Sequence, residues 1–166
     1  MLIFNNLNSR HVYGNVEYKK IIMENINKFK IFLVDDDHFC LNLYEQHLVN
    51  LGHTDVTTFD NGTACLNSLT QNPDIIFLDH NMDVLTGFEL LKKIKRFNPN
   101  IHVVMISGQE NMKTAIDALK YGAFDYIIKN DMVAEKMEDL LRRITEIQKE
   151  LKKSKYPLFK KLLTLI

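Results

Sequence analysis

Five times along this chain a short strand-like run gives way to a helical stretch. KIFLV (30–34) precedes residues 38–51, where Phe39, Leu43, Leu48 and Leu51 recur at helical intervals and Gly52 is the stop. DVTTF (55–59) precedes Gly62 and the helix ACLNSLTQ. DIIFL (74–78), introduced by Pro73, precedes FELLKKIKRF, which Thr86 caps and Asn98-Pro99 ends. IHVVMI (101–106) precedes NMKTAIDALKYG, closed by Gly122, and FDYII (124–128) precedes a long helix starting near Asp131. Apolar strands with short helical connections suit burial on both faces. The chain is therefore predicted to be α/β, a doubly wound five-stranded parallel sheet with helices on both faces.

In such sheets ligands bind beyond the carboxyl ends of the strands. The first apolar run ends in Asp35 and Asp36, the third in Asp79, the fourth in Ser107-Gly108 and the fifth in Lys129. A parallel sheet brings all of these to one edge. Clustered carboxylates repel, and one takes up a proton unless a cation sits among them. A hard divalent ion bound by oxygens resolves this, and Mg²⁺ is the commonest choice with phosphates. Lys129 and Ser107 add the positive charge and hydroxyl donor that a tetrahedral oxyanion needs. Together this is the equipment of phosphoryl transfer to a carboxylate.

The stretches IFLVDDDHF, IIFLDHNMDVLTGFELL, VVMISG and FDYIIK, in that order, carry a resemblance to the receiver domain of two-component response regulators. The resemblance implies a flavodoxin-like strand order, 2-1-3-4-5, and covers residues 29–150. It implies that Asp79 accepts a phosphoryl group from a phosphohistidine on a sensor histidine kinase or a histidine phosphotransfer protein. Mg²⁺ would be held by Asp35, Asp36, Asp79 and the backbone carbonyl of Asn81. Ser107 and Lys129 would stabilise the phosphoryl group. Ser107 and Tyr126 would then switch the face built from the fourth helix, fifth strand and last helix, which binds a downstream protein target. Such a domain is not an enzyme, although it promotes its own phosphoryl transfer and slow dephosphorylation. Tyr126 also suits a half-buried strand aromatic, and Asp37 reads as a helix cap.

Two positions depart from the family pattern. Asn130 stands where Pro usually follows the Lys, so the peptide bond there is expected to be trans or the loop altered. Asp83 stands where Pro is usual, adding negative charge beside the site. Two rival readings differ in class. A haloacid-dehalogenase-like phosphatase would use Asp35 as nucleophile, with Asp37, Ser107 and Lys129. It needs another acidic pair on a further strand and leaves Asp79 without a role. A receiver-like module that binds partners without phosphorylation has only the missing Pro in its favour.

Composition narrows the setting. The 21 basic and 21 acidic residues cancel, so direct nucleic-acid binding is not expected. Cys40 and Cys65 form no metal or disulfide framework and read as small buried hydrophobes. There is no apolar run long enough for a membrane span and no secretory signal, which predicts a cytoplasmic protein. Residues 1–28 read as a loosely ordered extension. Met23 begins MENINKFKIFLVDDD at the spacing expected of a compact receiver, so residues 1–22 are expected to be dispensable. In the last helix Met137, Leu140 and Ile144 can face the sheet, while Ile147 and Leu151 extend a seam suited to a homodimer or a linker. Residues 151–166 read as a basic tail with no output domain. From Lys149 onward six Lys stand against one Glu, a net of +5, so the rest of the chain carries −5. That tail suits a mobile end in the first place, or else a segment that docks on a partner or lies on a surface.

Overall fold

The computed structural model describes residues 29–163 except 110 and 131, with side chains as far as 151. The expectations for residues 1–28 lie outside the described residues. Five strands form one sheet: β1 (Ile31–Val34), β2 (Val56–Phe59), β3 (Ile75–Asp79), β4 (His102–Ser107) and β5 (Asp125–Ile128). Between them run α1 (His38–Asn50), α2 (Gly62–Ser68) with a 3-10 turn, α3 (Gly87–Phe97) and α4 (Met112–Lys120). The last helix, α5, runs from Val133 to Leu163. All pairings are parallel and the order is β2-β1-β3-β4-β5, as expected.

The uninterrupted apolar strands are explained by two cores, one on each face. Ile31, Leu33, Ile75, Phe77, Val104 and Ile106 meet α1 and α5 through Leu41, Tyr44, Leu48, Met137, Leu140 and Ile144. The alternate residues, Phe32, Val34, Ile76, Leu78, Val103 and Met105, meet α2, α3 and α4. Each fully buried side chain of this size contributes roughly 1.5–3 kcal/mol of transfer free energy. A polar residue in the middle of these strands would be buried on either face, so the polar residues collect at the strand ends.

Local signals behave as expected at the helix ends. Asp37 caps α1 by accepting the Phe39 N–H at 2.8 Å. Thr86 and Glu89 form a reciprocal capping box at α3. Gly52 and Gly122 end their helices at φ of 92° and 95°, where a side chain would be strained. One sequence expectation fails. The buried stripe of α1 is Leu41, Tyr44 and Leu48, whereas Phe39 and Leu43 are 73% and 52% exposed. The burial of Tyr44 turns α1 away from the stripe that aliphatic residues and Phe alone suggest. Cys65 is buried, which pushes its thiol up to about 12, and Cys40 is half-buried; both are free. Among the described residues no helix is long and apolar enough to cross a membrane.

Candidate phosphoacceptor site

The parallel register brings the predicted residues to one edge. Asp79 is the last residue of β3 and pairs with Ile106, so Ser107 extends one step beyond it on β4. Ser107 pairs with Ile128, and Lys129 follows directly on β5. Asp35 and Asp36 leave the end of β1. Asp35, Asp79 and Ser107 are buried, while Asp36 is exposed.

Asp35, Asp36 and Asp79 each present a carboxylate oxygen within 4.8 Å of the others. Lys129 Nζ lies 2.8 Å from Asp35 Oδ2 and 2.8 Å from Asp79 Oδ1. Backbone amides take the remaining oxygens of the buried pair. Asn81 N–H donates to Asp79 Oδ2 at 2.7 Å, and Asp37 N–H donates to Asp35 Oδ1 at 2.9 Å. Burial pushes the Asp79 carboxyl above its ordinary value; the Lys129 hydrogen bond opposes this and the Asp35 charge reinforces it. Burial also disfavours the Lys129 ammonium. The hydrogen bonds and charges of Asp35 and Asp79 outweigh that cost and raise it well above its ordinary value.

Three carboxylates thus face one ammonium, which leaves a formal surplus of two negative charges. An oxygen-lined cluster with that surplus, open to solvent through exposed Asp36, fits a hard divalent cation. The site is therefore compatible with Mg²⁺ on its own chemistry.

A second set of bonds leads away from the cluster. Ser107 Oγ accepts the N–H of Gln109 at 3.1 Å. The Gln109 carbonyl accepts the Tyr126 hydroxyl at 3.0 Å. One residue of the β4–α4 loop therefore touches both Ser107 and Tyr126 through backbone atoms alone. Tyr126 itself is half-buried against the α2–α4 face. Sequence reasoning missed Gln109 because any residue type supplies an amide and a carbonyl.

Gly87, the first residue of α3, also matters to the site, and no sequence pattern marks it. Its amide donates to the His80 carbonyl at 3.1 Å. A Cβ there would lie 2.1 Å from the Asp79 carbonyl oxygen and 2.8 Å from His80 Cα. These are backbone atoms of the acceptor's own strand end and cannot swing aside. Gly87→Ala is expected to destabilise the fold by about 2–3 kcal/mol, read as a lower urea midpoint. An unchanged midpoint would mean that the loop shifts freely and does not brace Asp79.

The two departures from the family pattern are both accommodated. No cis peptide bond occurs among the described residues, so Lys129–Asn130 is trans. The Asn130 side chain accepts the Met132 N–H at 3.0 Å and its carbonyl accepts that of Val133, which makes Asn130 a turn former ahead of α5. Asp83 lies with Asp36 and Asp60 along a cleft beside the site, adding negative charge there.

The model for the response regulator receiver domain matches residues 31–145. The chain belongs to this family. Among its relatives, the Escherichia coli regulator NtrC is 32% identical over 121 residues, which cover 72% of this chain and 26% of NtrC. A Campylobacter jejuni CheY homologue is 31% identical, covering 68% of this chain and 92% of that protein. This receiver therefore spans about a quarter of the NtrC regulators it matches. The activated receiver domain of DrrB superposes with a TM-score of 0.65 at 27% identity, covering 72% of this chain and 99% of that one. The CheY of Borrelia burgdorferi, solved with CheX, BeF3 and Mg²⁺, gives 0.66 at 26% identity, covering 75% and 96%. Family membership sets the phosphatase reading aside. Consistently, the described chain after Lys129 forms α5 and no further strand.

Proposed function

We propose that this receiver takes a phosphoryl group on Asp79 from a phosphohistidine of a sensor histidine kinase or histidine phosphotransfer protein. The observation that carries the reading is the Lys129 ammonium bonded to both Asp35 and Asp79 beside a third carboxylate. Buried Asp79 is a strengthened nucleophile, because burial raises its basicity. Its oxygen forms the bond to phosphorus as the phosphorus–nitrogen bond of the donor imidazole breaks. Lys129, already at the acceptor oxygen, meets the charge spreading over the phosphoryl oxygens. The Ser107 hydroxyl keeps its own proton for donation to one of those oxygens. Asp35, Asp36, Asp79 and the Asn81 carbonyl would hold Mg²⁺, which when bound supplies neutralising charge for the phosphoryl group.

Movement of Ser107 toward the phosphoryl group would strain its bond to Gln109 N–H. The Gln109 carbonyl passes that change to Tyr126, and so to the α4, β5 and α5 face that a downstream protein reads. This is a population shift between two packings of one fold. Within this reading the chain is a cytoplasmic signalling phosphoacceptor that promotes its own transfer and slow dephosphorylation. Its free thiols suit that compartment.

The test is intact-mass analysis of the full chain with acetyl phosphate. A single Mg²⁺-dependent, hydroxylamine-labile phosphate is expected; no adduct at any Mg²⁺ concentration would favour a module that binds without phosphorylation. Separately, Asp36→Ala is expected to weaken Mg²⁺ binding about tenfold or more by calorimetry, since the ion keeps few protein oxygens and several waters. Unchanged affinity would remove the acidic pair as ligands.

A further inference from the structure

The final turns of α5 run past the residues that pack on the sheet. Met137, Leu140, Leu141 and Ile144 are buried against the sheet, but Ile147 and Leu151 are 44% and 58% exposed on a helix that continues to Leu163. The family match ends at residue 145. Beyond it the sequence changes character, with six Lys and one Glu from Lys149 onward against a net −5 elsewhere.

We propose that this end of the chain docks on an anionic lipid surface, lying in the interface without crossing it. The argument rests on sequence periodicity and charge. Pro157 has no N–H for the Lys153 carbonyl, so it offers a place where the helix can change direction. From there, LFKKLLTLI sorts cleanly at the helical period. At about 100° per residue the sequence pattern assigns Leu158, Phe159, Leu162, Leu163, Leu165 and Ile166 to an arc of about 160°, and Lys160, Lys161 and Thr164 to the remainder. An apolar arc this wide, with Lys behind it, suits a bilayer interface better than a second copy, whose coiled-coil seam is narrower. Pairing two copies in parallel would also bring two +5 segments together. The concentrated positive charge complements an anionic headgroup layer, whereas the acidic remainder of the chain is repelled from it.

The test uses the full chain in flotation with vesicles of phosphatidylcholine alone, or roughly two parts phosphatidylcholine to one of phosphatidylglycerol. About tenfold more protein is expected on the anionic vesicles, with the difference lost near 0.5 M salt. The K153E/K160E/K161E variant is expected to lose the preference while keeping the wild-type unfolding midpoint. A second variant, L158Q/L162Q, is expected to bind weakly while keeping all its charge. Equal recovery on both vesicles would overturn the proposal. So would full binding by both variants, or concentration-dependent dimerisation with no vesicle binding.

Discussion

Asp79→Asn is expected to reduce acyl-phosphate labelling to background while leaving the fold intact. Asn keeps the shape of the buried side chain, and its one amide oxygen can still accept from Lys129, at the cost of the bond from the Asn81 amide. What it lacks is the carboxylate nucleophile. The substitution is also expected to raise the unfolding midpoint near neutral pH in the absence of Mg²⁺. Burial and the Asp35 charge hold the Asp79 carboxyl above 3.8 in the fold. Its contribution to stability is complete below that ordinary value and is lost as pH rises through the raised one. At neutral pH the wild type therefore carries the full penalty of a buried ionised group, and Asn carries none. The gain is expected to shrink as pH falls toward the ordinary carboxylate range. Labelling of the variant at the wild-type rate would remove Asp79 as the acceptor.

Lys129→Met is expected to be the most damaging single change at the site. It leaves Asp35 and Asp79 buried together without their shared ammonium. Removing one partner of a buried pair costs about 3 kcal/mol or more. That loss is expected to be greatest at neutral pH and to ease on acidification, since protonating one carboxylate relieves the repulsion. Added Mg²⁺ is expected to restore part of the stability, because it replaces the missing positive charge. The labelling rate is expected to fall by about 10²-fold, the usual effect of losing a charge-stabilising donor at a reacting oxyanion. Wild-type stability and rate in this variant would mean that Lys129 is a surface ion pair with no part in the chemistry.

Much of this site is legible in the sequence because burial on both faces keeps polar residues out of the middle of β1, β3 and β4. Asp35, Asp36, Asp79, Ser107 and Lys129 therefore stand out as the residues that end apolar runs. Their common edge follows from parallel strands, and the observed strand order matches the one implied by the family resemblance. What stays hidden depends on backbone geometry. Gly87 matters for a close approach to the Asp79 carbonyl that no local pattern encodes. Gln109 links Ser107 to Tyr126 through its amide and carbonyl, which every non-proline residue carries. The exposed Phe39 and Leu43 misled the reading of α1 because residue type alone does not report which side of a helix meets the sheet.

The most direct test of the central claim is to trap the acyl phosphate and map it by peptide mass spectrometry. After acetyl phosphate and Mg²⁺, the modification is expected on Asp79, within the peptide that carries IIFLDHNMDVLTGF. Modification of Asp35 instead would contradict the account, since it would make the β1 carboxylate the nucleophile and leave Asp79 as its neighbour.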